Sequence, residues 1–161
     1  MSPYIEVCSR TQRLFLRDAD GGSLASYPVS TAANGLGEAA GSYRTPRGRH
    51  YVRARIGAGL PLDAVLVGRR WTGEIYTPAL GHAHPGRDWI LTRILWLCGL
   101  EPGFNRGGAV DTFRRYIYIH GTPDLDLLGT PASHGCIRMD SRDVLALFDR
   151  TPVGTPVTID G

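Results

Sequence analysis

At 161 residues with 42% apolar side chains, the chain suits one domain over residues 1–161 built on a single hydrophobic core, and is too short for two. Its net charge of +3 and pI near 9.0 come from 18 basic residues, all arginine, a balance too mild and too dispersed to make nucleic acid a partner. The absence of lysine excludes Ser-Lys dyads, Schiff-base lysines and P-loop lysines.

Read along the chain, residues 4–7 and 13–16 have the β-branched and aromatic character of short strands, and 18–22 form a glycine-bearing turn into a third strand at 24–29. The opening is therefore a meander. The first residues show no basic stretch followed by an apolar one, as an export leader would have, so the expected location is the cytoplasm. Residues 32–48 are rich in Gly, Ala and Ser and are predicted to form a long functional loop before a strand at 50–56. Further strands are expected at 65–67 and 74–77. Residues 88–99 fit either a buried strand or a helix and are read as strand. The longest apolar run, 89–100, is interrupted by Arg93 and too short to span a bilayer, so no membrane partner is expected.

A strand at 116–119 is predicted to end on His120. Asp140 then reads as the N-cap of a helix with Asp143 at its third position and Val144, Leu145, Leu147 and Phe148 as its buried stripe. Pro152 and Gly154 end it before a last strand at 157–159. The fold class is mainly β with one or two short helices, turn-rich because Gly numbers 21 and Pro 11.

Three cysteines, Cys8, Cys98 and Cys136, are an odd, widely spaced set without a CxxC, which argues against a disulfide framework or a structural zinc site. Cys8 and Cys98 read as small buried hydrophobes. Trp71, Tyr76, Trp89, Trp96 and Tyr118 read as aromatic core, with one or two of them available to line a substrate cleft. Cys136 differs because it lies in Ser133-His134-Gly135-Cys136-Ile137-Arg138-Met139, with Ile119-His120-Gly121-Thr122 upstream. A thiol on a small-residue turn with an imidazole placed to meet it can supply a nucleophile, its base and backbone oxyanion donors, which is the equipment of acyl transfer. Free cysteine has a pKa near ~8.5, so an adjacent imidazole, and a helix if one follows Gly135, would be needed to favour the thiolate. Spacing alone leaves both His120 and His134 open as the base. His82 and His84, with His120, His134 and Cys136, form a competing metal-ligand set, but no carboxylate stands at a metalloprotease spacing, so neither metal nor cofactor is expected.

The histidine followed by Ser-His-Gly-Cys resembles the hallmark of the YkuD-type L,D-transpeptidase catalytic domain. Ile5-Glu6-Val7 with Gln12-Arg13-Leu14, Tyr27-Pro28-Val29-Ser30-Thr31 and Thr45-Pro46-Arg47-Gly48 look like its earlier blocks, in order. The resemblance covers nearly the whole chain and implies a single-domain, β-sandwich-like catalytic fold. It implies Cys136 as nucleophile, His120 as base and later acid, and the Gly121 carbonyl as the group that orients the imidazole. His134, Gly135 and Cys136 would form the oxyanion turn. Arg138 and Ser133 would belong to the substrate pocket, Arg138 holding a peptide carboxylate or bracing the loop, and Ser133 stabilising the loop. The implied partners are peptidoglycan stem peptides, cleaved before a terminal D-alanine through a thioester. A cytoplasmic L,D-carboxypeptidase of muropeptide recycling is the expectation. The alternatives are a periplasmic L,D-transpeptidase, a His/Cys metal-dependent hydrolase and a non-catalytic wall-peptide binding module.

Overall fold

The computed structural model describes residues 2–161. The strands β1 (Tyr4–Cys8) and β2 (Arg13–Arg17) alternate fully buried with half-buried residues, so that Ile5, Val7, Leu14 and Leu16 all face inward. They continue into β3 (Ser23–Pro28), completing the expected meander. The remaining strands are β4 (Gly48–Ile56), β5 (Ala64–Val67), β6 (Arg70–Ile75), β7 (Ile90–Gly99), β8 (Tyr118–Thr122), β9 (Ile137–Asp140) and β10 (Pro156–Asp160).

All ten strands belong to one sheet, in the order β3-β2-β1-β10-β4-β7-β5-β6, with β8 and β9 branching from β7. β1 pairs parallel with β10 and β8 with β9; the other pairings are antiparallel. The branch lets the sheet curl over itself. Ile5, Val7, Leu14 and Leu16 from one arm and Leu95, Ile119, Ile137 and Met139 from the other share one core, closed by Val144, Leu147 and Phe148. Residues 90–99 are strand, not helix, because β7 is the hub that pairs with β4, β5 and β8, and a helix could not offer those backbone groups. Its register with β8 shifts between Leu91 and Ile94, where Thr92 takes φ +74°. That bulge re-aims the strand next to His120, and the Thr92 hydroxyl is held by the Asp63 N–H at 3.0 Å.

The two α-helices are short. α1 (Pro78–Ala83) has no counterpart among the predicted elements, although Thr77-Pro78 is an N-cap followed by proline at the first helical position, and Thr77 Oγ1 accepts the Leu80 N–H. α2 (Ser141–Phe148) starts at the predicted cap, with Asp140 accepting the Arg142 N–H at 2.9 Å.

Several local expectations are corrected. β6 begins at Arg70 and ends before Tyr76, since Thr77 is committed to capping α1. The buried stripe of α2 is Ser141, Val144, Leu147 and Phe148, while Leu145 is only half-buried at the margin of that face. Trp71 is 42% exposed because β6 is an edge strand. Cys8 is half-buried at the end of β1, whereas Cys98 is buried as expected, and all three cysteines are free. Trp89 packs on Val65 and Leu91, and Trp96 stacks on Phe113 at 3.9 Å. No helix among the described residues is long and apolar enough to cross a membrane.

Candidate active site

β8 and β9 are paired in parallel, and the two-residue period of a strand sorts their side chains. Ile119, Ile137 and Met139 enter the core, while Tyr118, His120, Arg138 and the adjoining Cys136 line a cleft of about 300 Å³. His120 is at the middle of β8 and not at the end of a 116–119 strand. The strand starts late because Tyr116 is exposed and left-handed, with φ +57°, which turns its carbonyl toward Cys136.

The His120 ring is buried, and its Nδ1 lies 2.8 Å from the Gly121 carbonyl. A carbonyl can only accept, so Nδ1 carries the proton and Nε2 keeps a free lone pair. Gly121 is required by close packing: a Cβ there would stand 2.7 Å from the Leu91 carbonyl and 2.8 Å from Ser141 Oγ. Ser141 Oγ is itself buried without a hydrogen-bond partner among the described residues. His134 is exposed, its ring edge-on to Tyr43 at 6.2 Å. Of the two candidate bases, His120 is therefore the one with a fixed tautomer.

Cys136 Sγ donates to the Tyr116 carbonyl at 3.3 Å and accepts the Tyr118 N–H at 3.3 Å. Burial pushes this thiol up to about 12, against which the Tyr118 N–H, Arg138 and Arg115 act in the thiolate's favour and Asp88 in the thiol's. Burial also lowers the pKa of His120, opposed by the Gly121 hydrogen bond and Asp88. The resting pair is thus neutral thiol and neutral imidazole. No helix follows Gly135, because Cys136 leads directly into β9, so helix-dipole stabilisation of the thiolate is absent.

The turn before Cys136 is held from several sides. Ser133 Oγ accepts the Gly135 N–H at 3.2 Å and donates to the Cys136 carbonyl at 2.6 Å. Thr45 Oγ1 donates to the Gly135 carbonyl at 2.9 Å and accepts the Ala32 N–H at 2.9 Å. Gly135 has φ +134°, a conformation that L side chains rarely adopt. Its N–H is engaged by Ser133 Oγ in this resting turn, so of the expected oxyanion turn the His134 and Cys136 N–H groups are the donors most open to a substrate. Ser133 accordingly acts as a brace within the turn.

Arg138 is opposite His120 in the ladder and reaches Asp88 at 3.4 Å and Asp124 at 3.9 Å. Its charge is therefore compensated within the protein. Three residues at or beside the site are marked by no motif in the sequence: Arg69, Asp88 and Arg115. Arg69 comes from the β5–β6 turn and lines the cleft. Arg115 donates to the carbonyls of Gly37, Glu38 and Arg44, the last at 2.6 Å, and to Ser42 Oγ, tying the 32–48 loop to the cleft. The two arginines carry no sequence signal beyond a neighbouring glycine or aromatic, and Asp88 none beyond a charge before Trp89, patterns too common to select. His82 and His84 are exposed on and after α1 and do not line the cleft. No group of three or more His, Cys, Asp or Glu side chains among the described residues is placed to hold a metal ion.

A family model for the L,D-transpeptidase catalytic domain, YkuD, matches residues 2–159. A Bacillus licheniformis protein carrying the name L,D-transpeptidase YkuD is 46% identical over 60 residues, which are 34% of this chain and 36% of that protein. An L,D-transpeptidase from Mycobacterium smegmatis superposes with a TM-score of 0.61 at 18% identity, covering 99% of this chain and 59% of that one. L,D-transpeptidase 3 from Mycobacterium tuberculosis, solved with a faropenem-derived adduct, gives 0.62 at 16% identity over 99% and 60%. At such identities the structural likeness shows the fold, and the chain spans about three-fifths of these solved proteins. The match over residues 2–159, on a curled sheet of this order, assigns the chain to the YkuD L,D-transpeptidase catalytic domain family.

Proposed function

We propose that this chain is a cysteine acyl-transfer enzyme acting on peptidoglycan stem peptides, cleaving the L,D bond before a terminal D-alanine. One observation carries the reading: a thiol and an imidazole of fixed tautomer, facing one cleft beside a braced turn. With the thiol pKa near 12, forming a free thiolate at pH 7 would require on the order of 7 kcal/mol. Proton transfer therefore accompanies attack. Cys136 Sγ adds to the scissile carbonyl carbon as its proton passes to His120 Nε2, and the His134 and Cys136 N–H groups receive the developing oxyanion. Each such donor is typically worth about 3 kcal/mol. The C–N bond then breaks as the imidazolium returns its proton to the leaving amine, and a thioester remains.

Water, activated by the same imidazole, is the acceptor in this reading; the products are a tripeptide acid and regenerated thiol. A cleft of about 300 Å³ is at the small end for ligand sites and supports one peptide segment at a time. The three free cysteines support a reducing compartment, and hence soluble muropeptides in the cytoplasm as substrate. An amine acceptor would make the same steps a transpeptidation.

The test is incubation with a stem tetrapeptide ending in D-alanine, with and without a competing D-amino acid, and product identification by mass. Tripeptide alone supports hydrolysis, exchanged tetrapeptide transfers the reading to transpeptidation, and no thioester at Cys136 overturns both. Cys136→Ala and His120→Ala each abolish turnover, whereas Cys8→Ser leaves it near wild type.

A further inference from the structure

Among the described residues two guanidinium groups line the cleft, and one of them is free of a carboxylate. Arg138 is paired with Asp88 and Asp124. Arg69 has no carboxylate within 4.0 Å among the described residues. It is at the tip of the β5–β6 hairpin, where Gly68 and Arg69 take φ +56° and +64° between the paired Val67 and Arg70. Two left-handed residues in a two-residue loop make a type I′ turn, which matches strand twist and gives the tip a defined direction. The guanidinium is then held on three aromatic groups. Its carbon is 4.8 Å from the Trp96 ring centroid and 5.2 Å from that of Tyr116, and Nη1 donates to Tyr118 Oη at 3.2 Å. Stacking fixes the plane of the fork while leaving its other donors to a ligand.

Tyr118 sets the spacing. Its backbone N–H holds Cys136 Sγ at 3.3 Å, and its phenol holds Arg69. The free guanidinium is thus one tyrosine side chain away from the nucleophile. Both groups line the same cleft, and a single-residue leaving group, about 3.8 Å from one Cα to the next, is the length of peptide that this arrangement is inferred to seat between them.

We propose that Arg69 is the specificity residue that reads the free C-terminal carboxylate of the substrate, making this site one for peptides with a single, unblocked residue after the scissile bond. This rests on the reading of the cleft as a stem-peptide site, and it reassigns the carboxylate contact from Arg138 to Arg69.

The test compares a tetrapeptide acid with its C-terminal amide on wild type, Arg69→Asn and Arg69→Lys. Asparagine suits a left-handed position, so the turn is preserved. Arg69→Asn raises KM for the acid about tenfold or more, with kcat nearly unchanged, and leaves KM for the amide where it was. Arg69→Lys keeps charge without the fork and falls between the two. An equal loss on acid and amide, or no loss on either, overturns the proposal. Equilibrium binding of both peptides to the Cys136→Ala protein separates the two readings. If wild type turns over neither peptide but acid is still bound over amide, and Arg69→Asn abolishes that preference, the catalytic reading fails and the Arg69 assignment stands. Should Arg69→Asn not fold, the same acid-to-amide ratio in Arg69→Lys decides.

Discussion

His120 and Arg138 are direct partners across the β8–β9 ladder, so the buried imidazole has a guanidinium at its side and Asp88, 3.4 Å from Arg138, as the carboxylate that offsets it. Burial and Arg138 lower the imidazole pKa, while Asp88 raises it. The proposed base must be neutral, so activity is retained below the ordinary histidine value and is lost as pH falls through the lowered one. Asp88→Asn removes a charge that favours the imidazolium, which moves the acid limb of kcat/KM to still lower pH. A pH–rate profile checks this; a limb that stays still or moves upward contradicts the geometry.

Gly121 is the point where the His120 support is most tightly packed. A methyl group at this position meets the Leu91 carbonyl and Ser141 Oγ, so the strand must shift and carry the orienting carbonyl with it. Gly121→Ala is expected to lose about 2 kcal/mol of stability. Displacing the imidazole by as little as about 1 Å is expected to lower kcat/KM on the order of 100-fold. Thermal melts and steady-state kinetics measure the two effects separately.

Arg115 joins the 32–48 loop to the corner that holds the thiol. Its four hydrogen bonds end on Gly37, Glu38, Ser42 and Arg44, and its charge acts in favour of the Cys136 thiolate alongside Arg138. Arg115→Met removes both effects. Alkylation of Cys136 by iodoacetamide is expected to slow severalfold at a fixed pH near 8, and limited proteolysis in the loop to become faster. The half-buried Cys8 also reacts, so the rate is read by mass on the Cys136 peptide.

His50 makes folding itself pH-dependent. It is fully buried, with Nδ1 3.0 Å from the Gly48 carbonyl and Nε2 3.0 Å from Thr112 Oγ1, and burial lowers its pKa to about 4. A depressed pKa contributes stability that is complete above the unfolded value of about 6.5 and is lost as pH falls toward the folded one. The loss between pH 6.5 and 4 is on the order of 3 kcal/mol. Urea melts across that range show it, and His50→Gln flattens the dependence.

Local pattern was enough to identify most strands, the capped and striped α2, and the histidine and cysteine motifs, because each depends on residues close together in sequence. The period of two in β1 and β2 and the Asp140 cap are of this kind. For Trp71 and Leu145 local pattern does not give burial, because burial depends on what packs opposite: β6 is an edge strand and Leu145 is at the margin of its helix face. The aromatic side chain of Tyr116 suits a strand, but its left-handed backbone delays the pairing and turns its carbonyl to Cys136.

By itself the chain determined which atoms were available for chemistry: a thiol on a glycine turn, an imidazole before a glycine, and a surplus of guanidinium groups. Tertiary structure alone decided their states. Burial made the thiol a poor acid and the imidazole a poor base, the Gly121 carbonyl selected the tautomer, and Asp88 and Asp124 neutralised Arg138 while Arg69 was left free. Desolvation and charge pairing depend on neighbours brought together by the sheet, and those neighbours are far apart along the chain.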